Sequence, residues 1–121
     1  MYIDFTICSN ENDFKELKNL FPTSKILNKG DLLKSGKKIP YNEFSIIFEQ
    51  KKINYVDDLI KMFKEYIGDK YLILSEYIKN NKLNSSFCIV LKELEHPALS
   101  IEHENLLFLS MLNARIDFDF I

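Results

Sequence analysis

The sequence predicts an α+β fold: a mostly antiparallel or mixed sheet of about four to five strands with helices on one face. Three observations carry this. Stretches at both ends of the chain alternate apolar and polar residues with period two. Segments of helical period lie between the alternating stretches, and each predicted strand has only one apolar face. The predicted order is β-α-loop-β-α-α-β-α-β, ferredoxin-like in spirit, with a helical pair where that fold has a hairpin.

Residues 2–8 form the first strand, with Ile3, Phe5 and Ile7 inward and Tyr2, Asp4, Thr6 and Cys8 outward. Ser9 and Asn10 are capping residues for a helix over 11–20, where Phe14, Leu17 and Phe21 keep helical spacing. Pro22 ends it, having no amide hydrogen to give. Residues 22–42 keep no period and read as a long basic loop. Lys25, Lys29, Lys34, Lys37 and Lys38 face only Asp31, so five minus one gives +4 and leaves −6 for the rest of a chain of net −2. A loop this long inside one domain is usually functional or mobile. Gly30 suits a positive-φ turn, and Ile26, Leu27, Leu32 and Leu33 are expected to pin the loop to the core.

Residues 43–50 are the next strand, with Phe44, Ile46 and Phe48 inward and Glu43, Ser45, Ile47 and Glu49 outward. Asn54 is placed to cap a helix with Val56, Ile60, Phe63 and Ile67 on one face, closed by Gly68. Asp69 opens a second helix running to about 80, with Tyr71, Leu74 and Ile78 as its stripe. Residues 85–94 form a strand around Phe87, Ile89 and Leu91, broken at Leu94-Glu-His-Pro97. A short extended piece at 98–101 and a helix over 102–112 follow, with Asn113 as C-cap. The closing strand places Ile116, Phe118 and Phe120 in the core and Asp117 and Asp119 outward. Two phenylalanines at its end are best accommodated by a strand paired inside the sheet.

At 121 residues the chain is long enough for one domain, 1–121, with a single core. Hydrophobic content of 46% and charge of 28% exclude a disordered composition. A net charge of −2 argues against nucleic acid, and the lack of a long apolar run argues against a membrane span. The opening Met-Tyr-Ile-Asp-Phe-Thr lacks the pattern of a signal peptide, and Cys8 and Cys88 belong to no CxxC pair. A cytoplasmic, reduced protein is the expectation.

An opening strand and helix, Pro22-Thr23, Lys29-Gly30-Asp31 and a strand with Phe44 form one half of a wider pattern. The other half is Val56-Asp57-Asp58-Leu59, Phe87-Cys88, Pro97-Ala98-Leu99 and Ile116-Asp117-Phe118-Asp119-Phe120. Over nearly its whole length the chain resembles the bacterial domain-of-unknown-function family 4279, departing from it where Phe44 stands in place of the family's usual tryptophan. The resemblance implies an α+β single domain and assigns no catalytic residue.

The outward sheet face is the candidate site. In the predicted register Asp4, Glu43, Glu49, Asp117 and Asp119 share it with Lys92, five carboxylates to one ammonium. Such a face is a solvated surface that discourages strand pairing, an acidic docking patch for a basic protein, or a divalent-cation or acid–base site. The lysines at 25, 29, 34, 37 and 38 form a weak anion-binding candidate, although Gly30-Asp31 and Gly36-Lys37 do not match a phosphate-binding loop. His96 and His103 lack short metal-ligand spacing and read as surface residues; no metal or cofactor is expected. Nucleophile elbow and dinucleotide fingerprint are both missing.

The reading that follows is a non-enzymatic macromolecule-binding domain, of the immunity type that masks a toxin, with Asp117, Asp119 and Glu43 as anchors. A small-ligand or metal-binding domain, enzymatic or not, using 22–42 as a lid stands beside it. A structural homodimer is the third reading.

Overall fold

In the computed structural model the chain runs β1 (Tyr2–Ser9), α1 (Lys15–Leu20), β2 (Lys25–Leu27), β3 (Asn42–Glu49), α2 (Val56–Ile67), α3 (Lys70–Asn80), β4 (Ser85–Leu91), α4 (His103–Met111) and β5 (Ala114–Phe120). The structure describes residues 1–92 and 95–121; the predicted end of the third strand, at 93–94, lies outside the described residues. The strands form one sheet in the order β2-β3-β1-β4-β5. β1 lies at its centre, antiparallel to both β3 and β4. β3 and β4 therefore run the same way with β1 between them, and the α2–α3 pair makes the crossover that parallel strands require. β4 and β5 are adjacent and parallel, joined through α4. The fold is thus α+β with a mixed sheet.

Both crossovers lie on one side of the sheet, and the inward period of each strand meets them there. Ile3, Phe5, Ile7, Phe44, Phe87 and Ile89 have no exposed surface, and they pack beneath Leu59, Ile60 and Phe63 of α2, Leu74 and Ile78 of α3, and Phe108 and Leu109 of α4. Phe63 sits in the middle, with ring centroids 5.2 Å from Phe87, 5.8 Å from Phe48, 6.1 Å from Phe5 and 6.4 Å from Phe108. These separations are favourable for tilted and edge-on aromatic pairs.

Local chemistry explains where the elements begin and end. α1 is shorter than its apolar spacing predicts, because Phe14 stands in the left-handed region at φ 61° and the helical run begins only at Lys15, while side chains satisfy the amides just before it. Ser9 Oγ accepts from the N–H of Asn12 at 3.0 Å, Asn12 Oδ1 from Phe14 at 2.9 Å, and Asp13 Oδ1 from Lys15 at 3.2 Å. Asn54 does not cap α2 through its side chain. Its carbonyl instead accepts the N–H of Ala98, whose own carbonyl takes the N–H of Val56, both at 3.0 Å. Asp69 likewise makes no side-chain cap to α3. Gly68 closes α2 at φ 61° and ψ −137°, a conformation open to a residue without Cβ. Asn113, at φ 50°, turns the chain from α4 into β5 and donates to the carbonyl of Leu83 at 3.0 Å.

Two expectations fail here. Residues 22–42 are not an irregular loop: they contain β2, then a tight hairpin bridged between Leu32 and Lys38. Gly30 N–H donates to Ile39 and Leu33 N–H to Lys37, at 2.9 and 2.8 Å. Ile26 and Leu27 are half-buried as expected, but Leu32 and Leu33 are exposed and Ile39 is the buried anchor. Side-chain periodicity missed this unit because backbone bonds hold it.

The second concerns β5. Among the described residues it pairs with β4 alone and forms an edge of the sheet. Ile116, Phe118 and Phe120 do lie on the helix side, opposite Phe87, Ile89 and Leu91. Yet Phe118 is 37% and Phe120 68% exposed, because no element among the described residues covers the far half of the strand.

Candidate functional site: the open face of the sheet

The helices all pack on one side, so the other side of the sheet is bare among the described residues. The register lays out this face in rows. Glu49, Tyr2, Val90 and Asp119 form one row; Ile47, Asp4, Cys88 and Asp117 the next; Lys25, Ser45, Thr6, Ser86 and Arg115 the third; and Leu27, Glu43 and Cys8 the last. All five predicted carboxylates are therefore on one face, as their period requires. Lys92, Lys25 and Arg115 share it, so the ratio is five to three rather than five to one.

The cations are unevenly used. Lys92 Nζ lies 3.0 Å from Glu49 Oε1, and Arg115 Nε donates to Asp117 Oδ2 at 2.9 Å. Asp4 accepts only a neutral hydrogen bond among its described contacts, from Thr6 Oγ1 at 2.8 Å. Among the described residues Asp4, Glu43 and Asp119 have no ion-pair partner. Asp4 and Asp117 are two strand spacings apart, roughly 9–10 Å. Two such charges repel by about 0.4–1.8 kcal/mol before salt screening, depending on the local dielectric. The face retains a negative field that a cationic surface would relieve.

The titratable groups register that field. Burial, then the nearby Asp4 charge, pushes the Glu43 carboxyl above its ordinary range, with Lys25 partly offsetting both. The Cys88 thiol is pushed up by burial and then by Asp119, Asp117 and Asp4. Cys8 is raised by burial and by Glu43. Both shifts favour the protonated, less nucleophilic thiol. Although they share the face, Cys88 stands opposite Asp4, four residues along β1 from Cys8, or roughly 13 Å away. Glu49 moves the opposite way, lowered by its hydrogen bond to Lys92.

Apolar groups are set among the charges. Ile47 is 55% exposed, Tyr2 is half-buried under the Lys92 ammonium at 6.0 Å from its ring, and Val90 is buried between neighbours. Charges set around a few apolar groups are also the make-up of many protein interfaces. The arrangement suits contact rather than acid–base chemistry. Asp117 and Asp119 are roughly 6–7 Å apart along a flat strand, with no wall to keep water out. Among the described residues no group of three or more His, Cys, Asp or Glu side chains could hold a metal ion.

Lys25 points onto the acidic face, while Lys29, Lys34, Lys37 and Lys38 are exposed along the hairpin. The hairpin is tied to the body by Asn42, whose Oδ1 accepts the Lys29 N–H at 2.7 Å and whose Nδ2 donates to Asn12 at 2.8 Å. His96 and His103 are both exposed. Sequence reasoning missed a cleft of about 690 Å³ on the helix side, walled by Asp57, Lys61 and Lys64 of α2 and by His103 and Asn105 of α4. Tyr71 also lines it, and its buried hydroxyl has no hydrogen-bond partner among the described residues. The cleft shares no residue with 22–42, so nothing places that segment over it as a lid.

Arg115 could have been read onto the face from its two-residue spacing to Asp117. Lys25 could not, since a three-residue strand is too short to show a period. No helix among the described residues is long and apolar enough to cross a membrane. No protein-family model matches the chain, and no curated protein or solved structure matches it.

Proposed function

We propose that this chain is a macromolecule-binding domain, of the immunity type that masks a basic protein, and that the open sheet face is its working surface. One observation carries the reading: three carboxylates with no ion-pair partner among the described residues, Asp4, Glu43 and Asp119, stand on the helix-free face around Ile47 and Tyr2. Charge of one sign on a flat surface accelerates encounter with an oppositely charged partner and rejects like-charged ones. The exposed apolar groups supply the desolvated centre that affinity needs. The resemblance to family 4279 assigns no activity and adds no residue to this reading.

The test is affinity capture from native lysate with the wild-type chain and with D4N/E43Q/D119N. A stoichiometric basic protein retained by the first and lost by the second supports the proposal. Its absence, or retention by the triple variant, removes it. A small-ligand reading rests on the α2–α4 cleft and the unpartnered Tyr71 hydroxyl. A melting-temperature rise of several degrees with a metabolite or divalent metal, abolished in Y71F, would favour it instead.

A further inference from the structure

β5 presents its free edge in a form that fits one partner, a second copy of itself. The N–H of Ile121 donates to Leu91, and the carbonyl of Asn113 accepts from Ser85, so odd-numbered residues of β5 turn their backbone toward β4. Alternation then leaves the N–H and C=O of Ile116, Phe118 and Phe120 along the open edge. The opposite edge of the sheet, β2, is three residues long, whereas β5 has seven. Long exposed edges with apolar side chains are templates for strand addition. The neighbouring helix is only partly covered among the described residues. α4 reads His-Glu-Asn-Leu-Leu-Phe-Leu-Ser-Met, apolar around its circumference, yet Leu106 and Met111 are 45% and 54% exposed. A helix of that composition normally has cover on every side. Leu106 and Ile116 line the same groove between α4 and β5.

Charge selects the occupant and its register. Two copies of β5 meeting antiparallel about a two-fold axis can be centred on any residue from 115 to 119. Centring on Arg115 opposes two arginines. Centring on Asp117 or Asp119 opposes that aspartate to itself, and centring on Phe118 opposes Asp117 to Asp119. Only centring on Ile116 sets Arg115 against the second copy's Asp117, twice by symmetry, with no like charges facing. Ile116 is also an edge-directed residue, so its backbone closes the central hydrogen-bonded pair, and the Arg115–Asp117 pairs fall at the closer, non-hydrogen-bonded positions. We infer that the chain forms a two-fold dimer through antiparallel β5 edges centred on Ile116, with the α4 helices side by side and the two acidic faces continuous. This inference is independent of the proposed partner, since the open face remains free.

Light scattering over a concentration series tests it. The wild type is expected at twice 14.3 kDa. R115D and D117R each place like charges opposite and are expected to weaken the dimer about tenfold or more. An equimolar mixture of R115D and D117R is expected to recover a heterodimer, since each strand then carries the complement of the other. That recovery also shows that both variants fold. A wild-type monomer at all concentrations, or a dimer indifferent to both variants, overturns the inference.

Discussion

Asn105, buried on α4, directs its side-chain amide at Asp57 on α2: Nδ2 lies 2.7 Å from the carboxylate and 3.1 Å from the backbone carbonyl. The same carboxylate accepts the N–H of Glu102 at 2.8 Å, at the start of α4. One side chain of α2 therefore positions the helix that carries the chain from β4 to β5. N105A is expected to lower stability by about 1–3 kcal/mol, the cost of leaving buried polar groups short of partners. N105D should cost more, because it sets a carboxylate against Asp57. Denaturant melts check both.

Phe63 meets four aromatic rings between the sheet and α4, with none of its surface exposed. F63A should cost about 3–5 kcal/mol, and F63L clearly less, because leucine refills part of the volume. Against a typical stability of about 5–15 kcal/mol, the alanine variant would be near the limit of folding. Equilibrium urea unfolding distinguishes the two.

Gly68 turns α2 into α3 at positive φ, and a Cβ there would meet only the Glu65 carbonyl at an ordinary 3.7 Å. The expected loss in G68A, about 1–3 kcal/mol, is therefore backbone strain rather than collision. A melting temperature equal to that of the wild type would refute this.

Glu43 is raised by burial and by Asp4, so its ionised form is disfavoured in the folded chain. For an acid shifted this way, the folded state binds the proton more tightly than the unfolded state. Stability attributable to Glu43 is thus lost as pH rises through the carboxylate range and regained as pH falls. E43Q is expected to be more stable than the wild type at pH 7, by under about 1 kcal/mol given solvent screening, and no more stable at pH 3. Melts at the two pH values decide it.

Cys88 reports the field of the neighbouring aspartates, after burial the main causes of its raised pKa. D117N/D119N should lower that pKa, raise the thiolate fraction and speed alkylation at pH 8 by about two- to threefold. An unchanged rate would show that burial alone governs the thiol.

Much of the site could be read from the residues before any contact was known. Period two assigns Asp4, Glu43, Glu49, Asp117 and Asp119 to the outer face of their strands, because successive side chains of a strand alternate. The shared face of Arg115 was equally available. Lys25 was not, nor was the backbone-bonded hairpin at 28–42, because neither leaves a pattern in side-chain polarity.

The sequence by itself determined which residues are apolar-in and charged-out, where α2 stops at Gly68, and that the fold is α+β. Those are properties of local spacing and backbone conformation. Only the tertiary structure decided that β1 is central and β5 an edge, since strand order depends on pairings between distant segments. That order leaves Phe118 and Phe120 half uncovered, separates Cys8 from Cys88, and turns Ile116 into the middle of an open edge.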